Sequence, residues 1–297
     1  DTQTNWNGIT GEISLTVAKA IVTGVQVFPD IAEKKLRLRA YVEGRHSGQA
    51  AVYLPGQEPH LVPISGHALE GVLPLTGNEA LWDEFSPNLH TLSIDVDGDV
   101  YTTTFGLRKF EGKGRSLMCN GREVFLRGKH DGLIFPRTGY APTDVDSWRK
   151  VLGTAKEYGI NHYRFHTCCP PDAAFAAADE MGIYMEPELP FWGSILMPDE
   201  EGFNGEEQAY LIEEGYRIMR DFGNHPSFVM LSLGNELWGN MERVNSFLHE
   251  YKKVDRRHLY TQGSNNFQFC PIVQPDEDVF CGVRLASDRL FRGSYAM

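Results

Sequence analysis

The chain has 297 residues, 41% hydrophobic and 23% charged, which excludes disordered and fibrous classes and gives length enough for two domains. With 28 Lys and Arg against 40 Asp and Glu, the formal charge is −12, so no basic stripe exists for nucleic acid and none is expected as a partner. No run approaches the roughly 18 apolar residues of a membrane span, and no membrane partner is expected either.

The chain opens on Asp1 rather than Met, as a processed or cut-down product would. The first 105 residues are expected to be all-β. Leu36, Leu38, Ala40 and Val42 alternate with Arg37, Arg39 and Tyr41, a period-2 pattern with one buried face. Similar short runs cover Glu12–Ala18, Gly24–Pro29, Ala50–Leu54, Leu69–Leu75, His90–Val96 and Val100–Phe105. Asp97-Gly98 marks a tight hairpin between the last two, because such turns need positive φ. Strands at this spacing predict a small sandwich of immunoglobulin-like size, with a partial barrel as the competing arrangement.

After residue 120 the rhythm changes to alternating strands and helices. Strands are expected at Val124–Gly128, Asn161–His166, Ile183–Leu189, Phe228–Asn235, Leu259–Gly263 and Val279–Val283. Between them, Val145, Trp148, Leu152 and Ala155 fall at helical spacing behind a Thr143/Asp144 cap. Ile212, Tyr216, Met219 and Phe222 do the same before Gly223, and Val244, Phe247, Leu248, Tyr251 and Val254 form a third stripe. Units of about 31 residues suit a (β/α)8 barrel, of which six strands fit before Met297, about two units short. An open doubly wound sheet is the rival, ranked lower because reactive residues crowd the ends of several strands, which share one mouth only in a barrel. Five cysteines, all beyond residue 118 and none in a C-x-x-C pair, suit buried structural thiols.

The chemistry sits at those strand ends. The fourth strand is framed by Asn224-His225-Pro226-Ser227 and ends in Gly234-Asn235-Glu236, with Trp238 close behind. In isolation an Asn-Glu pair is a helix-start cap. A carboxylate just beyond a buried strand, beside an amide, is also what glycoside cleavage needs, since an acid must protonate the departing oxygen. In Asn161–His166, alternation puts His162, Arg164 and His166 on one face, and an inward arginine is costly unless it meets a carboxylate. His162, deeper in the strand, is expected in the core or behind the site. Glu186 and Glu188 share parity and can both face inward, Glu188 nearer the mouth. Trp192 suits either stacking on a sugar or plain loop packing.

Taken together these motifs resemble glycoside hydrolase family 2, the family of β-galactosidases, β-glucuronidases and β-mannosidases. Asn5-Trp6-Asn7-Gly8-Ile9 resembles its exit from an N-terminal sugar-binding domain. Phe105-Gly106-Leu107-Arg108, Asn120-Gly121 and Leu126-Arg127-Gly128 resemble its lead-in to the barrel. His225-Pro226-Ser227 through Asn235-Glu236 resembles its acid/base segment. The resemblance implies a multidomain β plus α/β chain: an immunoglobulin-like β-sandwich over 1–105, then an incomplete (β/α)8 TIM barrel over 106–297. It implies a retaining exo-glycosidase acting on terminal β-linked sugars, β-galactosidase-like, with β-glucuronidase or β-mannosidase activity as variants. The alternative is a non-catalytic carbohydrate-binding or scaffold module derived from the same family.

By that resemblance Glu236 is the general acid/base, Arg164 supports the nucleophile and His166 reaches the sugar. Asn235, Glu188, His130, Asp131, Trp192, Trp238 and Asn265 complete the expected substrate-binding set. Lys129-His130-Asp131-Gly132 departs from the run usual in the galactosidase branch. The nucleophile is a glutamate ending a seventh strand, expected beyond Met297, and the 297 residues alone are expected to be inactive. No cofactor is expected; some β-galactosidases of this type use magnesium, but no ligand set stands out. A carbohydrate is the expected partner, a homo-oligomer is compatible with the family, and a periplasmic or secreted parent is favoured over a cytoplasmic one.

Overall fold

The computed structural model describes residues 9, 11, 13–264, 266–268, 273–280, 283–285 and 295–296. The period-2 pattern becomes strand β2, Lys35–Glu43, which buries Leu36, Leu38, Ala40 and Val42. It is paired with β1, Ile21–Asp30, and followed by β3, Ser47–Tyr53, β4, His60–Ser65, β5, Ala68–Pro74, β6, His90–Val96, and β7, Asp99–Phe105. All are antiparallel, in the order β1-β2-β5-β4-β3-β6-β7, and β1 and β7 also touch, so the sheet nearly closes on one apolar core. Asp97 and Gly98 both take positive φ, 55° and 92°, and join β6 to β7 tightly as expected.

Two local expectations fail. The alternation in Glu12–Ala18 forms no strand over 13–18, where Ile13, Leu15 and Val17 are exposed. Alternation specifies a strand only where a neighbouring edge is available, and the backbone N–H groups of Lys19 and Ala20 are instead taken by the Asp99 carboxylate at 2.9 and 3.1 Å. The second failure is at Val124. Residues Phe110–Lys113, Ser116–Cys119 and Arg122–Val124 form an antiparallel meander (β8, β9, β10) turning at Asn120-Gly121, whose φ values are 52° and 79°. Val124 therefore ends β10, and the first parallel strand begins at Gly128 rather than Val124.

That strand is β11, Gly128–Asp131. It is followed by α1, Val145–Glu157, β12, His162–Phe165, α2, Asp172–Met181, β13, Tyr184–Glu186, and the short β14, Ser194–Ile195. Next come α3, Gly205–Phe222, β15, Met230–Ser232, the short β16, Trp238–Gly239, α4, Met241–Val254, β17, Leu259–Thr261, β18, Asn266–Gln268, and β19, Val279–Phe280. β11, β12 and β13 pair in parallel. Bridges Met185↔Phe228 and Glu188↔Ser232 join β13 to β15, and β15 pairs with β17. Asp278 then donates its backbone N–H to the Tyr260 carbonyl at 2.8 Å, beside β19. Neighbours in space are thus neighbours in sequence, without the order reversal of a doubly wound sheet. Asp144 and Asn204 cap α1 and α3 through their side chains. Gly223 ends α3 with an ordinary right-handed φ. Glycine is needed there because a Cβ would lie 2.0 Å from the Arg257 guanidinium.

The N-terminal sheet is bonded directly to the α/β region. Asn224 pairs with the β1 backbone, accepting from Val27 N–H at 2.8 Å and donating to the Val25 carbonyl at 2.7 Å. Arg257, ion-paired to buried Asp255 at 2.6 Å, reaches the Val27 carbonyl at 3.0 Å and covers the Phe28 ring. Trp82 is fully buried in a cluster with Tyr184, Val229 and Met230, and its indole donates to the Asp179 carbonyl at 2.8 Å. Among the described residues no helix is long and apolar enough to cross a membrane.

His225, in the stretch before β15, is held between Asp179 (2.6 Å) and Asp172 (3.2 Å). Burial alone would lower its pKa, but the attraction of Asp179, then Asp172, outweighs it and pushes the imidazole up to about 10. The unfolded imidazole titrates near about 6.5. The stabilisation is therefore complete below that pH and is lost as pH rises towards about 10. The denaturation midpoint should fall between pH 7 and 10. His225→Gln should abolish that dependence and cost about 3 kcal/mol at pH 7, because buried Asp179 loses its counter-charge. A flat pH profile in the unsubstituted chain would contradict this.

Candidate active site

Register places the inward residues of β12 beside those of β13: Arg164 opposes Glu186, and His162 opposes Tyr184. Two residues beyond β13, the Glu188 carboxylate is fully buried and receives Arg164 through Nε at 2.8 Å and Nη2 at 2.7 Å. The Thr167 backbone N–H donates to its Oε2 at 2.8 Å and the Ser232 hydroxyl to its Oε1 at 3.1 Å. Burial raises the Glu188 pKa while Arg164 pulls it down. The inward arginine thus meets its required carboxylate, but Glu188, expected to bind substrate, is wholly engaged within the protein. Its surroundings make it a support for Arg164 rather than a surface for a sugar. His162 and Glu186, both buried, lie 3.1 Å apart deeper in the interior.

Arg164 also donates to Asn235 Oδ1 at 2.8 Å, coupling the end of β12 to the loop after β15. Asn235 bridges in parallel to Ser264, and Glu236 follows with φ 53°, a left-handed backbone uncommon for this residue type. The Glu236 N–H donates to the Ser264 carbonyl at 2.8 Å, and its side chain is half-buried.

His130 and His166 meet edge to face with ring centres 5.0 Å apart, and His166 meets Trp192 at 6.3 Å. Burial, with Arg164 nearby, lowers the pKa of both histidines, which favours the neutral imidazole. Trp192, just before β14, and Trp238, the first residue of β16, are each 44% exposed, and β14 pairs with β16 through Ser194 and Trp238. Asp131, expected among the substrate contacts, is buried and holds its own loop instead: its carboxylate takes Lys129 Nζ at 2.5 Å and the Leu133 N–H at 2.8 Å. Asn265 lies outside the described residues, as do residues 5–8 of the expected exit motif.

The structure therefore brings His130, Arg164, His166, Trp192, Asn235 and Glu236 together at the strand ends, with Glu188 behind them. Sequence reasoning missed Thr167, Ser232 and Ser264. Only Ser232 carried a signal, a hydroxyl interrupting an otherwise apolar buried strand. Among the described residues no three or more His, Cys, Asp or Glu side chains converge in a way that could hold a metal ion. A cleft of about 930 Å³ lies away from this site, between β1 and the region of Arg108 and Arg257, and none of the candidate residues borders it.

Residues 110–279 match the family description "Glycosyl hydrolases family 2, TIM barrel domain". The chain belongs to glycoside hydrolase family 2. A Formosa agariphila protein bearing a β-glucuronidase name is 31% identical over 187 residues, 58% of this chain and 22% of its own. The β-galactosidase of Photobacterium profundum is 28% identical over 204 residues, 65% of this chain and 20% of its own. Among solved structures, a β-glucuronidase from Ruminococcus gnavus in complex with D-glucaro 1,5-lactone shares the fold with TM-score 0.70 at 21% identity, over 90% of this chain and 46% of its own. The chain spans about a fifth of the length of these two curated relatives.

If Arg164 and Glu188 act as one buried unit, Glu188→Ala should destabilise the chain by about 3–5 kcal/mol, because it strands the guanidinium. Adding Arg164→Met should recover part of that loss. A double-mutant cycle by chemical denaturation should give a coupling of about 1–3 kcal/mol. Additive losses would show that the two side chains do not support one another.

Proposed function

We propose that this chain carries the acid/base half of a retaining exo-glycosidase acting on terminal β-linked sugars, with a β-galactosidase-like or β-glucuronidase-like substrate. The observation that carries the reading is Glu236: a half-buried carboxylate just beyond β15, next to Asn235, whose Oδ1 is held by Arg164. The relatives named as β-galactosidase and β-glucuronidase support the same chemistry.

In this reading Glu236 first protonates the departing oxygen, then takes a proton from the water that releases the sugar. With Oδ1 committed to Arg164, Asn235 offers its amide N–H to a sugar hydroxyl, where the bond can strengthen as positive charge develops on the ring. His166 and His130 supply donor and acceptor positions, their lowered pKa favouring the neutral ring. Trp192 and Trp238 supply faces for sugar C–H groups. Arg164 and Glu188 fix the geometry from behind. We further propose that the units divide at 105/106 and that the N-terminal sheet is immunoglobulin-like. Its strand order supports this, with β1-β2-β5 and β3-β6-β7 on either side of β4.

The test is Glu236→Ala in the full-length gene product. Glycosylation by an activated aryl glycoside, whose leaving group needs little protonation, should slow only modestly. Cleavage of a disaccharide should fall by about 10²–10⁴-fold. Azide should speed turnover of the aryl substrate and yield the β-glycosyl azide, the anion attacking from the vacated face. Equal losses on both substrates with no azide rescue would remove Glu236 from this role.

A further inference from the structure

The backbone ladder between β15 and β17 continues past both strands to the proposed acid/base. Leu233 N–H donates to the Thr261 carbonyl at 3.2 Å, Ser264 N–H to the Gly234 carbonyl at 3.0 Å, and Glu236 N–H to the Ser264 carbonyl at 2.8 Å. This extension runs through awkward backbone. Gly234 and Gly263 have φ of 141° and 126°, and Glu236 itself is left-handed at 53°. Such a conformation persists in a non-glycine residue only where its surroundings over-determine it.

One side chain meets both sides of that ladder. Asn266, at the start of β18 and 2% exposed, accepts the Leu237 N–H on Oδ1 at 2.9 Å and donates through Nδ2 to the Gln262 carbonyl at 3.0 Å. It therefore ties the residue after Glu236 to the residue two before Ser264. The fit is close, since a Cβ on Gly263 would lie 2.8 Å from Asn266 Oδ1 and 2.8 Å from the Gly234 carbonyl.

We propose that Asn266 is a positioning residue for Glu236: its amide clamps Leu237 against the Gln262–Ser264 turn and so holds the Glu236 backbone left-handed. The inference rests on the acid/base reading of Glu236, but the clamp can be measured without it. Asn266→Ala removes both bonds. Exchange of the Leu237 amide in the full-length protein should accelerate by about tenfold or more, while amides in α1 and α2 keep their protection. In kinetics, disaccharide cleavage should fall by up to about 10²-fold, the scale of a misplaced catalytic group. The drop should lie in kcat more than KM, and glycosylation by an activated aryl glycoside should change little. Asn266→Asp keeps the acceptor facing Leu237 but sets a carboxylate oxygen against the Gln262 carbonyl, so its Leu237 exchange and leaving-group profile should stay nearer those of the alanine variant than of the unsubstituted protein. Should the alanine variant not fold, Asn266→Ser, too short to reach Leu237, serves in its place. Unchanged Leu237 exchange, or equal losses for both substrate types, would overturn the proposal. If Leu237 loses protection but Glu236→Ala shows no leaving-group dependence, the clamp stands and the function assigned to Glu236 falls.

Discussion

The strand-end site depends on one buried ion pair. Removing Arg164 and Glu188 from water is expensive, and their attraction repays that cost only if the remaining hydrogen-bonding positions are filled. For the fully buried Glu188 they are: Thr167 donates to one oxygen and Ser232 to the other, while Arg164, itself still partly exposed, also reaches Asn235. Three successive strand ends, β12, β13 and β15, are thereby fixed to one another by directional contacts. Apolar packing alone could hold the strands while leaving their polar tips free to move. The ion pair sets where Asn235 stands, and Asn235 sets where Glu236 begins.

The segment that resembles the family's acid/base motif serves two distinct purposes. Its C-terminal half, Gly234–Glu236, builds the site. Its N-terminal half builds the joint beneath it: Asn224 completes hydrogen bonds of β1, His225 joins two aspartates of α2, and Ser227 N–H donates to Asp179 at 3.0 Å. Arg108 donates to the Pro226 and Phe228 carbonyls from the link between the two regions. The short stretch thus carries packing at one end of a strand and the proposed acid/base residue at the other.

Much of this was legible from local pattern. The Leu36–Val42 alternation, the Asp97-Gly98 turn and the Asp144 cap are decided within a few residues, and each appears as expected. An inward Arg164 implied a carboxylate, but parity left Glu186 and Glu188 equally placed, and only the contact itself singles out Glu188. Local pattern failed where partners are distant. Nothing near Glu12–Ala18 reveals whether an edge is available. Asn120-Gly121 is itself a hairpin signal, read instead as part of the lead-in to the barrel, and the hairpin moves the first parallel strand to Gly128. Trp82, in the N-terminal segment, gives no local sign that it buries among Tyr184 and Met230. Asp131 and Glu188 are carboxylates at strand ends whose engagement by Lys129 and Arg164 decides that they face inward to the protein. Asn266 acquires its part only through backbone groups at positions 237 and 262.

The central claim is that Glu236 faces the glycosidic oxygen of a sugar held over this site. Its most direct test is a crystal structure of the full-length Glu236→Gln protein with an uncleaved disaccharide. The account predicts that the glycosidic oxygen lies within about 3.2 Å of the side chain at position 236. It also predicts the terminal sugar against Trp192 and His166, and Arg164 still bound to Glu188. A disaccharide bound elsewhere, or an Arg164 that leaves Glu188 to grip the sugar while position 236 points away, would contradict it.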